Sequence, residues 1–328
     1  MLESSKSRQR RNALIVMAVV GSIALRANGQ QSRTRELTYD LERKEWVELP
    51  PPPSGTPDGD LYRIKAQLRK GRYRHALSAI KRFVKDHGET APQFPAVLIA
   101  KAEALIGRRE YYKAYGVVQQ FLSKYAGMAL TSDALRLKFV IAETFLSGVK
   151  RKLLGLRLLP GEDLAYRILD EIAVDYPDSK WAVFAIKTKA DHLFLNGDHS
   201  LSELEYARLI KEHPRSRYHR PALRRIADAA LASFRGIEYD EAALIEADER
   251  YREYIGHYPH TGDTRDIELL LDGISEQRAE KEFSIGRYYE RTRHISSALF
   301  YYRSVMSGWP ESVAAAKAGE RLSLLGAE

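Results

Sequence analysis

From Asp60 onward, apolar residues recur at the three- and four-residue spacing of amphipathic helices almost to the end of the chain. The helices come in pairs. Gly71-Arg72-Tyr73-Arg74-His75-Ala76 closes one helix and opens the next, as do Arg109-Glu110-Tyr111-Tyr112-Lys113-Ala114 and Gly197-Asp198-His199-Ser200-Leu201-Ser202. The second helix of each pair ends on a large apolar or aromatic residue: Phe83, Phe121, Ile172, Leu209, Tyr254 and Val305. Turns around Pro177, Pro214, Pro259 and Pro310 follow, spaced 37, 45 and 51 residues apart. Proline cannot continue a helix, so each of these reversals is written into the chain. Small residues (Ala76, Ala114, Ala165, Ala247, Ala298) mark close helix approaches, and Tyr206, Tyr251 and Tyr302 fill the next layer. The pattern predicts an all-α, helical-hairpin solenoid. Its units are about 34 residues long with insertions, a period characteristic of stacked repeats. Six units run from about Asp60 to Ser312, and a capping helix spans Val313 to Leu325. No single unit can bury its own apolar face, so neighbours must stack.

The N-terminus has a different texture. Lys6, Arg8, Arg10 and Arg11 precede a run from Ala13 to Leu25 that is apolar except for Ser22, and Arg26 ends it. Thirteen helical residues span about 20 Å, short of a hydrocarbon core of about 30 Å. Residues 1–29 therefore read as a signal peptide cleaved before Gln30, or as an uncleaved inner-membrane signal anchor, with a disordered basic tail as the third reading. Residues 30–60 read as an extended, Pro-rich linker: Glu36 to Leu49 alternates loosely, Pro50 to Pro53 forces a polyproline II rod, and Ser54 to Gly59 is turn chemistry. This linker is a spacer, or a segment around Trp46 that docks. The array then occupies residues 61–328. The stretch Gly148 to Asp163 interrupts the third unit. There Lys150, Arg151, Lys152 and Arg157 intersperse with Leu153, Leu154, Leu156, Leu158 and Leu159. It is a candidate membrane or partner loop, or else a lengthened hairpin packed on its own scaffold.

Charge narrows the function. The net charge is +8, but residues 1–29 hold five basic residues against one acidic residue. The +4 that remains over some 300 residues does not argue for nucleic acid, and no RNA or DNA motif supports it. The 328 residues contain no Cys, which excludes disulfides, thiolate catalysis and Cys-based zinc sites within them. No Walker loop, zincin His pair or nucleophile elbow occurs. His257 and His260 lie three apart in a proline turn, which predicts exposed turn residues. The chain reads as non-catalytic, with no metal, no cofactor and no small-molecule substrate.

The units resemble tetratricopeptide repeats, whose first helices line a groove. Carrying the register along the chain places Lys65, Arg69, Glu103, Phe139, Glu143, Lys187, Asp191, Phe283, Arg287 and Arg291 on that face. Mixed charge with occasional Phe suits an extended peptide or a partner loop. Lys187 and Asp191 also have the spacing of an i,i+4 ion pair.

The stretch Ala279-Glu280-Lys281-Glu282-Phe283-Ser284-Ile285-Gly286-Arg287-Tyr288-Tyr289, followed by Ser297-Ala298-Leu299-Phe300-Tyr301-Tyr302, resembles the final repeat of the BamD-like outer-membrane assembly lipoproteins. Tyr176-Pro177-Asp178-Ser179-Lys180-Trp181-Ala182 resembles that family's repeated turn. The resemblance implies an exported, periplasmic protein associated with the outer membrane and with β-barrel insertion. Its implied partners are the barrel-assembly subunit's periplasmic domains and unfolded barrel segments. Members carry a lipid on a Cys just after the signal, and this chain lacks that residue. Two other readings stay open: a repeat adaptor for another envelope or peptidoglycan machine, anchored in the inner membrane, and an enzyme or enzyme subunit.

Overall fold

The computed structural model describes residues 37–40, 45–48, 51–153 and 156–326. The expected export segment and most of the linker lie outside these residues. The chain divides into two compact units, residues 1–62 and 63–328.

In the first unit, strands β1 (Leu37–Asp40) and β2 (Glu45–Glu48) pair antiparallel, with Tyr39 opposite Trp46. The loose alternation expected there is thus a hairpin. Helix α1 (Pro57–Arg69) starts four residues before the expected boundary. Pro57 sits at its first position, where a missing N–H costs nothing. The Thr56 hydroxyl accepts the Gly59 amide at 3.1 Å and donates to the Pro53 carbonyl at 2.7 Å. A Cβ on residue 59 would lie 1.9 Å from that same carbonyl, so glycine is required.

Twelve further helices follow: α2 (Tyr73–His87), α3 (Phe94–Gly107), α4 (Tyr111–Tyr125), α5 (Thr131–Leu146), α6 (Glu162–Asp175), α7 (Lys180–Asn196), α8 (His199–Glu212), α9 (His219–Ala232), α10 (Ala242–His257), α11 (Thr264–Arg291), α12 (Ile295–Gly308) and α13 (Val313–Leu324). From α2 onward each packs on the next, and α3 meets α5, α5 meets α7, and α11 meets α13. The result is six helical hairpins and a cap, as the period predicts. The alanines assigned to close approaches are fully buried, and Tyr206, Tyr251 and Tyr302 are buried beside them. The growing proline spacing has two sources: a nine-residue connection between α9 and α10, and the 28 residues of α11. The basic Leu-rich stretch in the third unit contains a second hairpin, β3 (Arg151–Leu153) with β4 (Leu156–Leu159), between α5 and α6. Among the described residues no helix is long and apolar enough to cross a membrane.

Both kinds of turn repeat as physical devices. Tyr176, His213, Tyr258 and Trp309 each precede a proline, and all adopt φ between −138° and −130°. The proline ring forbids the α conformation to its predecessor, so the helix stops at the same point in four units. The turn inside a hairpin needs a left-handed residue instead. Gly71 and Gly197 supply it at φ 67° and 87°, and Arg109 and Arg293 at 59° and 63°. In all four the next amide (Arg72, Glu110, Asp198, His294) bonds the carbonyl five residues back, at 2.9–3.0 Å.

Candidate protein-binding groove

The first helices of units three and four pack together, and the turns at Pro177 and Pro214 set the starts of α7 and α9. On α7 the start is fixed by Ser179, whose hydroxyl accepts the Ala182 amide at 3.3 Å. That cap places Trp181 in the first turn and Phe184 one turn later. An aromatic ladder results. Phe139 on α5 lies 5.5 Å from Trp181 and 6.2 Å from Phe184, ring centre to ring centre. Trp181 and Phe184 are 5.7 Å apart, and Phe184 reaches Tyr218, just before α9, at 5.8 Å. Such spacings are those of favourable aromatic pairs. Trp181, Phe184 and Tyr218 remain part-exposed.

Cations rim the ladder. Lys180 lies 5.2 Å from the Trp181 ring, Lys187 lies 5.6 Å from the Tyr218 ring, and the Arg217 guanidinium sits 4.8 Å from the same tyrosine. A hollow of about 400 Å³ opens beside Trp181, between Leu135 and the Tyr176–Pro177 turn. A second, of about 320 Å³, lies farther along α9 and is lined by Arg220, Arg224 and Arg225 with Asp228, Tyr254 and Asp263. Together these elements form a strip of flat rings and positive charge with two recesses. It can hold an extended segment through stacking, cation–π contacts and carboxylate recognition.

The second recess has a rigid floor. Asp263 accepts the Tyr254 hydroxyl at 2.8 Å and the Arg224 guanidinium at 3.2 Å. Burial alone would raise the Asp263 carboxyl, but hydrogen bonds from Thr261, Tyr254, its own backbone amide and Arg224 outweigh it and hold the group at about 2. The folded value is below the ordinary one, so Asp263 contributes stability above pH ~4 that is lost as pH falls toward 2. Asp263→Asn therefore lowers the unfolding free energy by about 1–2 kcal/mol at neutral pH, after discounting for solvent. In urea titrations the gap between variant and native chain closes as pH drops from about 5 to 2. A gap independent of pH contradicts this assignment.

The sequence-assigned groove residues divide. Phe139 and Lys187 belong to the ladder and its rim. Lys187 pairs with Asp191, which also accepts the Tyr206 hydroxyl at 2.6 Å. Glu103 pairs with Arg136 at 3.2 Å, and Glu143 is exposed one turn beyond Phe139. Lys65 and Arg69 on α1, and Arg287 and Arg291 on α11, are exposed near the ends of the array, away from the ladder. Two residues expected to face a ligand instead pack. Phe283 is 6% exposed, 5.5 Å from the Tyr302 ring, and Phe139 is 7% exposed under Trp181. Both occupy positions where the first helix meets its neighbours, so their rings serve the core. Lys150 is exposed, Arg151 and Lys152 lie on β3, and Arg157 lies on β4. His257 is exposed at the end of α10 and not in the turn, and His260 is an exposed turn residue. Sequence reasoning missed Trp181, Phe184, Tyr218, Arg220 and Arg224. A signal existed for the first and third of these, since each is an aromatic residue two positions after the serine of a proline turn.

The family of outer-membrane lipoproteins designated YfiO matches residues 161–324, half of the chain. The chain belongs to this family. The matched half begins just ahead of α6 and carries Trp181, Phe184, Tyr218 and the arginine-lined recess. The outer membrane protein assembly factor BamD of Caulobacter vibrioides is similar at 23% identity over 136 residues. That match covers 42% of this chain and 45% of the relative, so the chain spans under half the length of the curated relative it matches. Among solved structures, the C-terminal part of a TPR repeat-containing protein from Cytophaga hutchinsonii aligns with 81% of this chain and 88% of its own, at 13% identity and a TM-score of 0.41. A tetratricopeptide repeat protein from Parabacteroides merdae aligns with 77% of this chain and 93% of its own, at 10% identity and a TM-score of 0.38.

Proposed function

We propose that this chain is a non-catalytic, exported scaffold that works at the periplasmic face of the outer membrane in the assembly of β-barrel proteins. Its occupant is a periplasmic domain of a barrel-assembly subunit or an unfolded barrel segment, held along the aromatic strip from Trp181 to Tyr218, which Phe139 supports from below, and the recess beyond it. The observation that supports this reading is the family match over the half of the chain that carries most of the strip. The role of the Caulobacter relative, outer membrane protein assembly, points the same way. Residues 1–29 complete the reading as the export segment and residues 30–56 as a spacer. The mixed-charge residues Lys187, Asp191, Glu103 and Glu143 flank the strip and set the charge pattern an occupant must match. Lys65, Arg69, Arg287 and Arg291 extend that face toward both ends of the array.

A second reading has one observation in its favour. The 328 residues hold no Cys for lipid attachment, which fits a repeat adaptor for another envelope machine held by its N-terminal segment.

The test is a crosslinked pull-down of the tagged chain from whole envelopes, with mass spectrometry of the captured proteins. The assembly reading expects a large outer-membrane β-barrel with periplasmic domains as the dominant partner. It also expects Trp181→Ala with Phe184→Ala to cut recovery of that partner roughly ten-fold or more, as loss of a central aromatic anchor does. Peptidoglycan-linked or inner-membrane proteins in its place would hand the function to the adaptor reading.

A further inference from the structure

The first hairpin is charged unlike the rest of the array. Residues 63–87 hold nine Lys or Arg against one acidic residue, Asp86. On α2, Arg74, Lys81, Arg82 and Lys85 are all exposed, and none forms an ion pair among the described residues. Helical geometry gathers them. Positions 74, 78, 81 and 85 fall on one line along α2, with Arg82 beside it, opposite the buried Ala76, Ile80 and Phe83. Lys70 and Arg72, in the turn just before, are also exposed and without an ion pair. The stripe is about 17 Å long.

Cations in the family-matched half behave differently. Lys189 sits between Asp170 at 2.9 Å and Glu205 at 2.7 Å, Arg224 bonds Asp263, and Arg321 bonds Glu290. At these three positions positive charge is used inside the fold, whereas Lys180, Arg217 and Arg220 stay exposed along the aromatic strip. In α2 it is presented outward, on a hairpin that lies outside the family match.

We propose that this face of α2 is an electrostatic docking surface for an anionic phospholipid layer. Three features favour lipid over a shaped protein ligand. The side chains are unpaired and free to spread, which suits a fluid sheet of phosphates more than one fixed bidentate geometry. The stripe is straight and borders no apolar anchor residue, since the apolar side of α2 is buried. The chain itself also runs, nearly fifty residues upstream of α2, through a cationic and apolar N-terminal stretch, Lys6 to Leu25, suited to a bilayer. Basic residues near an anionic surface each add to binding and act within a Debye length. The proposal does not rest on the assembly reading, because the aromatic strip and this face are on different hairpins.

The test is co-sedimentation of the full chain with vesicles of phosphatidylcholine alone and of phosphatidylcholine mixed with phosphatidylglycerol. The N-terminal stretch contributes to both and is unchanged between variants. The R74Q/K81Q/R82Q/K85Q variant is expected to lose roughly a hundred- to a thousand-fold in partition to the mixed vesicles, with no change on phosphatidylcholine. The R74K/R82K variant keeps native partition, because lipid reads charge and not guanidinium shape. The single variants K81Q and K85Q, which leave the helix intact, each lose about five-fold on the mixed vesicles. Equal partition of the native chain and the glutamine variants to mixed vesicles overturns the proposal. So does a loss in R74K/R82K as large as in the quadruple variant, which would mark a shaped protein site.

Discussion

Glu171→Leu is expected to lower the unfolding free energy by about 3–5 kcal/mol, because it strands a buried positive charge. Lys138 on α5 is 1% exposed, and its ammonium meets Glu171 of α6 at 2.7 Å. The same carboxylate accepts the Tyr115 hydroxyl at 2.9 Å and the Gln119 amide at 2.9 Å, both from α4. One acceptor therefore joins three helices of units two and three. Burial together with the hydrogen bond to Glu171 pushes the Tyr115 phenol up to about 12, so it remains a donor throughout the range in which the protein is folded. With Glu171 gone, Lys138 and Tyr115 lose their acceptor, Gln119 keeps only the Tyr115 hydroxyl at 2.8 Å, and Lys138 has little water to replace the carboxylate. The decisive comparison is the double variant Lys138→Met with Glu171→Leu. Removing the charge together with its partner should recover most of the loss, since an ion pair buried this deeply gains little over well-packed apolar groups. Chemical denaturation of the native chain, both single variants and the double variant gives the coupling directly. A double variant as unstable as Glu171→Leu alone would show that the network, and not the stranded charge, sets the cost.

Tyr302→Ala is expected to cost about 3–5 kcal/mol and to release the C-terminal cap. Tyr302 is fully buried against Phe283, and its ring lies where a Cβ on Gly286 would come within 2.7 Å. Its hydroxyl donates to Glu290 at 2.5 Å, and Glu290 also holds Arg321 of α13. The hydrogen bond from Arg321, together with that from Tyr302, outweighs burial and keeps the Glu290 carboxyl below its usual range. Tyr302→Phe keeps the packing and removes one donor, so it should cost about 1 kcal/mol. Hydrogen exchange locates the effect: α11 to α13 lose protection in the alanine variant while α3 to α7 keep theirs. Stacked repeats interact mainly with their neighbours, which confines the loss to one end. Uniform loss along the chain would refute that confinement. The device is general. Tyr206, Tyr251 and Tyr302 each stand eight residues before a turn proline. Each donates to a carboxylate on the first helix of its own unit: Asp191 at 2.6 Å, Asp228 at 2.8 Å and Glu290 at 2.5 Å.

The tyrosines mark the limit of what spacing alone reveals. Their burial is legible, because they fall in the apolar register. Their hydrogen bonds are not, because each acceptor lies on another helix, 12 to 23 residues away in sequence. The candidate groove divides in the same way. Phe139 and Lys187 lie on the expected face, since helical periodicity fixes which side of a helix a residue takes. Trp181, Phe184 and Tyr218 form a ladder only because the turns at Pro177 and Pro214 set the starts of α7 and α9 beside α5. Phe283 looks like a ligand contact in one dimension and is a core residue in three, because α12 and α13 both pack over the long α11.

Local rules were enough for much of this protein. The helical period, the proline that forces its predecessor out of the helix, the left-handed residue inside each hairpin and the count of six units with a cap are all properties of short stretches. They survive in the sequence because each depends on sterics within a few residues. The tertiary structure alone decided which carboxylate meets Tyr302, that Lys138 is buried, that the third-unit insertion is a β-hairpin, and that the cations of α2 are left without partners. Those outcomes depend on which faces stacking brings together, and insertions of unequal length change that stacking without changing any local rule.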